Sequence, residues 1–408
     1  MDFDVDYMAA ESWDGDMRKR LDRLRETQPV YWSEISKLWV VTRFDDVSYV
    51  SKNHEIFCSG HGVRPGNPAK LSLIDEDEPR HTQLRRLLNK GFTPRMVKKL
   101  EDIFQGLVTD AIDAIAKQGE CDFVDDIAVP MPLLLIAEMI GIRKRDRERF
   151  HRWSDALIAG DGNMHNPEIR DAAARAFVEY TTYLKEIFEE RRREPKDDLA
   201  SILLKAADDG VLGGIEHRAG IEALNIQPDA IAEDELTMMM VLLLVAGNET
   251  TRNGLSGGME LLIRHPEERQ KLIDDPAMIP SAVEEMIRLV SPVQSFGRTV
   301  TRDTELRGTK LSKGDTVLMI YPAANTDPEV FENPEVFDVE RNPHHLGFGI
   351  GNHFCMGANL ARMEMRVTFA EVLRRLPDME FSRGGPEIVP SSLVRTCKHM
   401  WVKYTPEA

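Results

Sequence analysis

Residues 348–357 read Phe348-Gly349-Ile350-Gly351-Asn352-His353-Phe354-Cys355-Met356-Gly357. Two glycines before the cysteine and one after it permit a tight turn in which backbone can approach a flat ligand closely. A helical pattern follows over Gly357 to Leu376. Cys355 therefore stands just ahead of a helix N-terminus, whose partial positive charge favours a thiolate. A thiolate there is a ligand for iron. An isolated cysteine is ordinarily a small apolar packing residue, and the flanking glycines are what set this one apart.

The chain around this segment is ordinary in composition. Its 408 residues carry 52 basic and 69 acidic side chains, a formal net charge of −17. That balance repels nucleic acid and anionic membranes overall. Hydrophobic residues at 42% and charged residues at 30% are globular usage. Cys58, Cys121, Cys355 and Cys397 are scattered without CxxC spacing, so no disulfide framework is expected and a reducing, cytoplasmic setting is. The acidic N-terminal stretch lacks the basic and apolar regions of a signal peptide. The longest apolar run, Met238 to Gly247, ends on Asn248 and Glu249. It is about half the roughly 20 residues that cross a bilayer, so it reads as a buried helix and no membrane anchor is expected.

Helical patterns dominate the remainder, over His81 to Lys90, Lys98 to Lys117, Leu133 to Ile140, Lys144 to Ala159, Pro167 to Arg193, Leu199 to Ala207, Ala232 to Arg264, Pro266 to Asp274 and Ser281 to Leu289. Thr93-Pro94 reads as a cap followed by proline at the first helical position, and Asp197-Asp198 as the cap of the helix after Pro195. Pro29 to Arg43 reads as a small hairpin, Thr316 to Tyr321 as a strand, and Val394 to Tyr404 as a closing strand pair. Ser59 to Pro79, rich in Gly and Pro, reads as a long loop, and Asp208 to Ala230 as a glycine-rich insertion. The expected fold is mainly α with small β-sheets, a single domain over residues 1–408.

The pattern Phe348-x-x-Gly351-x-His353-x-Cys355-x-Gly357 resembles the heme-ligand signature of the cytochrome P450 family. Three further segments match that family in order. Ala246-Gly247-Asn248-Glu249-Thr250-Thr251 ends the apolar run, and the resemblance makes Glu249 and Thr250 the acid and alcohol of proton delivery, with Ala246 and Gly247 leaving room beside the helix. A mid-helix hydroxyl otherwise bonds back to its own helix. Glu285-Met286-Ile287-Arg288 places an acid and an arginine on one helix face; the resemblance buries this pair and adds Arg341, as support for the heme pocket. His81 and Arg85, four apart, with Arg298 and His353, correspond to the family's partners of the heme carboxylates. Each alone is ordinarily a solvated cation.

The resemblance implies heme b, with Cys355 as the iron ligand and Phe348, Gly349 and Gly357 in its cofactor-binding loop. It implies a single-domain P450 fold, and Leu242, Val245, Ala246, Val293, Gln294, Leu393 and Val394 lining a distal pocket. These are mostly apolar, which favours a lipophilic substrate of steroid, terpenoid or fatty-acid type. Electrons from NAD(P)H must arrive through a separate ferredoxin and ferredoxin reductase, since the chain has neither a flavin-binding GxGxxG unit nor a ferredoxin cysteine run. Arg80, Arg85, Arg86, Lys90, Arg95, Lys98 and Lys99 form a stretch without an acid where an acidic ferredoxin would dock, or else a solvated helix face. Three readings compete: a monomeric ferredoxin-fed monooxygenase hydroxylating a lipophilic molecule with O2, a peroxide-driven peroxygenase, and a non-catalytic heme-binding sensor or carrier. The Glu249-Thr250 pair favours the first.

Overall fold

The structure is a computed structural model that describes residues 3–67, 70–160, 166–209 and 228–408. Its helices in chain order are α1 (Met17–Thr27), α2 (Phe44–Lys52), α3 (Arg80–Asn89), α4 (Pro94–Ile115), α5 (Pro130–Ile140), α6 (Arg147–Gly160), α7 (Pro167–Arg193) and α8 (Leu199–Asp208). They continue with α9 (Pro228–Arg264), α10 (Pro266–Asp274), α11 (Ile279–Val290), α12 (Tyr321–Ala324) and α13 (Ala358–Arg375). The strands are β1 (Val30–Ser33), β2 (Leu38–Val41), β3 (Phe57–Cys58), β4 (Glu120–Asp122), β5 (Ser295–Val300) and β6 (Thr304–Leu306). After these come β7 (Thr309–Leu311), β8 (Thr316–Ile320), β9 (Glu380–Phe381), β10 (Glu387–Val389), β11 (Thr396–His399) and β12 (Trp401–Lys403). Among the described residues no helix is long and apolar enough to cross a membrane.

The chain packs as two compact units, one of residues Met1–Gly66, Glu101–Pro132 and Glu249–Ala408, the other of Asn67–Leu100 and Leu133–Asn248. All described strands belong to the first. Its main sheet runs β1-β2-β8-β5-β3, with β2 and β8 parallel and the other pairs antiparallel. The two-residue period of a strand distributes β8 between two cores. Val317 and Met319 join Val41, Val47, Phe57 and Val300 on one face, while Leu318 and Ile320 join Leu21, Leu24, Leu38 and Val40 on the other. The hairpin read from Pro29 to Arg43 is thus two strands of a larger sheet, fixed by burial on both sides.

The second unit is helical. Asn166 caps α7, its Oδ1 accepting from the Glu168 and Ile169 amides at 3.0 and 3.4 Å, with Pro167 at the first position. Ala173, Ala176, Tyr180, Leu184, Ile187 and Phe188 bury one stripe of α7 at helical spacing. Tyr180 and Tyr183 meet Trp153 of α6 at ring separations of 5.6 and 5.3 Å. Asp198 caps α8 through the Ser201 amide at 2.9 Å, whereas Asp197 pairs instead with Lys99.

Two expectations are corrected or limited. Thr396–His399 and Trp401–Lys403 do not pair with each other; β11 pairs β10, and β12 lies between β4 and β9. The Asp122 carboxylate takes both the Met400 amide and the His399 ring, and these bonds redirect the chain between the two strands. Residues 210–227, most of the Asp208 to Ala230 insertion, lie outside the described residues.

Candidate active site

The Cys355 turn is built by hydrogen bonds and by glycine. Gly349 and Gly351 adopt φ of +66° and +78°, a region that strains other L-residues. A Cβ on Gly351 would also stand 2.9 Å from the Ser51 carbonyl oxygen. The Gly349 amide donates to Leu346 O at 2.8 Å, and the Cys355 amide to Phe348 O at 2.9 Å. His353 closes a short 3-10 turn, Gly351–His353, and α13 begins three residues after the cysteine. Gly357 has ordinary dihedrals, and a Cβ there would only touch Cys355 Sγ, at 3.9 Å.

Burial separates the four thiols. Cys58, Cys121 and Cys397 are buried, whereas Cys355 is half-buried. Burial pushes the Cys121 thiol up to about 12 and the Cys397 thiol up to about 11, so neither is a thiolate near neutrality. Cys355 alone combines access, a glycine turn and a helix N-terminus. In the same unit Arg298, on β5, is buried with its Nη1 donating to Gly297 O at 2.7 Å, and His353 is half-buried. One accessible thiol with a buried arginine and a histidine fits a heme, whose iron takes sulfur and whose carboxylates take cations.

In the helical unit, His81 and Arg85 occupy one face of α3. His81 is not the solvated cation it would be on an open helix. It is buried, its Nδ1 lies 3.3 Å from Glu78 Oε1, and burial pushes its pKa down. It therefore offers a hydrogen bond more readily than a charge. Arg80 also leaves the proposed docking surface: it is buried and ion-paired to Glu76 and Glu235. Arg86, Lys90, Arg95 and Lys98 are exposed, as is Lys99 beside Asp197.

Along α9, Met239 to Leu242 and Leu244 are buried, then burial breaks at Val245, Ala246, Gly247 and Thr250, and returns at Thr251 and from Asn253 to Met259. Ala246 is exposed, and Thr250 shares its face one turn on. Leu242, one turn before, is buried. Glu249 points elsewhere. Its carboxylate accepts from Asn253 Nδ2 at 2.9 Å, Arg252 Nη1 at 3.3 Å and Thr396 Oγ1 at 3.3 Å. The room expected beside Gly247 is filled: a Cβ there would come within 2.6 Å of Ile136 Cδ1, so this glycine serves the packing of α5 on α9.

The other pocket candidates converge. Val293 and Val394 form an isolated β-bridge, and the Gln294 amide donates to Leu393 O at 2.8 Å. The Gln294 side chain donates to the Ser391 carbonyl, which makes it a tie for this segment. On α11, Glu285 and Arg288 are wholly buried and joined by two bonds of 2.7 Å, and Arg341 adds a third at 3.0 Å. The neighbouring Glu284, with His345 and Arg362, carries little signal in the sequence. Its only signal is the doubled acid, Glu284-Glu285, and an arginine seven residues beyond Cys355.

The model of the family described as "Cytochrome P450" matches residues 19–387. The chain belongs to the cytochrome P450 family. This P450 is 36% identical over 397 residues to a steroid C26-monooxygenase of Mycolicibacterium smegmatis, covering 97% of this chain and 94% of that one. It is 35% identical over 401 residues to a methyl-branched lipid omega-hydroxylase of Mycobacterium tuberculosis, covering 92% and 89%. Among solved structures, CYP109E1 of Bacillus megaterium in complex with testosterone is similar with a TM-score of 0.80 at 31% identity, over 95% of this chain and 99% of that one. The protein is a P450 monooxygenase with the mainly helical P450 fold, and the family implies heme.

Proposed function

We propose that this P450 hydroxylates the terminal methyl group of a methyl-branched alkyl tail on a lipophilic substrate such as a sterol. The observation behind this reading is a shared position of attack. A steroid C26-monooxygenase and a methyl-branched lipid omega-hydroxylase act on different skeletons, yet both names put the oxygen at the end of a tail. The tertiary C–H of such a tail is its weaker bond, so oxidation at the methyl requires walls that hold the tail end-on. Val293 and Val394, joined in an isolated β-bridge, supply such an apolar wall.

Bound heme supplies the oxygen chemistry, and a thiolate ligand donates the electron density that favours O–O cleavage. In this reading Cys355 is that ligand, and Arg298, His353, His81 and Arg85 hold the heme carboxylates. Thr250, half-buried one turn beyond Ala246, is the proton donor in this reading. Glu249 restocks it, exchanging its bonds to Arg252, Asn253 and Thr396 as it carries a proton inward. Electrons come from NAD(P)H through a reductase and an acidic ferredoxin, drawn to the exposed Arg86, Lys90, Arg95 and Lys98.

The test has two parts. A reduced carbon-monoxide difference spectrum should show the red-shifted thiolate band in the native protein and lose it in Cys355→Ala; a native protein without that band refutes the ligand assignment. Mass spectrometry should then find terminal oxygen on a sterol that keeps its branched side chain. CYP109E1 binds testosterone, which has no such tail, and this favours ring oxidation as the second reading. Turnover of testosterone, with no binding of the tailed sterol, would establish the second reading over the first.

A further inference from the structure

We infer that Glu284, His345 and Arg362 form a clamp that fixes the ring of Phe348 and, through the Phe348 carbonyl, the backbone amide of Cys355. The three are positioning residues for the thiolate. The inference rests on Cys355 being the heme ligand.

The geometry is continuous from α11 to the sulfur. Arg362, on the second turn of α13, grips Glu284 with both arms, Nε to Oε1 at 2.6 Å and Nη2 to Oε2 at 2.8 Å. Such a fork sets the orientation of the guanidinium plane as well as its position. That guanidinium lies 4.5 Å from the centroid of the Phe348 ring, a cation–π contact. His345 completes the clamp. Its Nδ1 accepts from the Gly347 amide at 3.0 Å, so Nε2 carries the ring proton and donates to Glu284 Oε2 at 3.1 Å. Burial opposes a charge on Glu284, but His345 and Arg362 outweigh it and hold the carboxyl down at about 2. The His345 ring also lies 5.8 Å from the Phe348 ring.

The peptide between is held on the same helix. Leu346 donates its amide to Asn325 Oδ1 at 2.7 Å, and Asn325 Nδ2 donates to Ser291 Oγ at 2.8 Å, just past the end of α11. A Cβ on Gly347 would come within 2.6 Å of Ile287 Cγ2, so only glycine lets the loop lie this close. Phe348 is therefore fixed from both sides, and its carbonyl accepts the Cys355 amide at 2.9 Å. That bond fixes the cysteine's backbone and with it the direction in which the sulfur points. The orientation of a metal-bound thiolate toward neighbouring donors sets the electron density it supplies, so the clamp holds the potential at its native value. α11 thus carries two neighbouring acids with separate duties, Glu285 toward Arg288 and Arg341, and Glu284 toward the cysteine loop.

The test compares Arg362→Ala, Arg362→Lys and Glu284→Gln with Leu373→Ala, a core truncation at the far end of α13. The measurements are the heme reduction potential, the persistence of the thiolate band under carbon monoxide, and the melting temperature of the heme protein. Arg362→Ala and Glu284→Gln should shift the potential away from the native value and lose the thiolate band about tenfold faster, equivalent to about 1.4 kcal/mol. Arg362→Lys, which keeps the charge but not the fork, should fall between them and the native protein. Leu373→Ala should lower the melting temperature without moving potential or band. If Arg362→Ala does not accumulate, the lysine and glutamine variants carry the same test. Native potential and persistence in these variants, or changes no larger than those of Leu373→Ala at equal melting temperature, overturn the clamp. A native protein lacking the thiolate band overturns the ligand assignment instead.

Discussion

Glu364 lies on α13, nine residues beyond Cys355, and is fully buried. Its Oε2 and the Thr368 Oγ1 one turn later meet no hydrogen-bond partner among the described residues. Burial alone raises its pKa well above the ordinary carboxylate range. The native state therefore binds a proton that the unfolded chain releases near its ordinary pKa of about 4.3. Because the folded pKa is the higher one, this group's contribution is intact below the unfolded value and is lost as pH rises toward the folded value. The loss is about 1.4 kcal/mol per pH unit while the native carboxyl keeps its proton. Glu364→Gln is neutral in both states and removes that slope. Over each pH unit of that window the variant should gain about 1.4 kcal/mol on the native protein. With about 2.1 cal/mol/K of unfolding entropy per residue over 408 residues, that is about 1.6 °C of relative melting temperature per pH unit. Thermal melts of both heme proteins across that range read the difference directly. A gap that does not change with pH would show that Glu364 is not a buried neutral acid, whatever the sign of the gap.

Other expectations follow from the same structure. Thr250→Ala should keep substrate binding but consume more NAD(P)H per product and release more peroxide; unchanged coupling would remove Thr250 from proton delivery. Glu285→Ala leaves the Arg288 charge wholly buried with its carboxylate gone, a cost of about 3–5 kcal/mol, and should melt well below Arg341→Ala, since Arg341 is partly exposed. Equal melting temperatures would contradict this. Charge reversal at Lys90 or Lys98 should slow reduction by ferredoxin and flatten its dependence on salt, as read by stopped flow; native kinetics would place docking elsewhere.

The legible parts of the site share one property: their chemistry is local in sequence. The Cys355 turn could be read because positive-φ glycines, a thiol and a helix start fall within ten residues. The Glu285–Arg288 pair could be read because three residues of helix bring two side chains together. Gly247 was harder. Its lack of a side chain looked like space for a ligand, yet Ile136, from a different helix, occupies that space. His81 and Arg80 carried the same difficulty, since a cation on a helix reads as solvated until the residues packed over it are known. Val394 to Tyr404 looked like a hairpin because short apolar runs sit side by side, but each strand's partner lies elsewhere in the chain.

Adjacent residues carry the family, the mainly helical fold and the candidate iron cysteine, because turn chemistry and helical period are local. Only the tertiary structure decided which polar groups are buried and what they face. It showed that burial pushes the Cys121 and Cys397 thiols up, that Glu249 bonds to Arg252, Asn253 and Thr396, and that Glu284 reaches the cysteine loop through Arg362 and Phe348. Those facts depend on desolvation and on contacts between residues scores of positions apart, and neither quantity exists until the chain has packed.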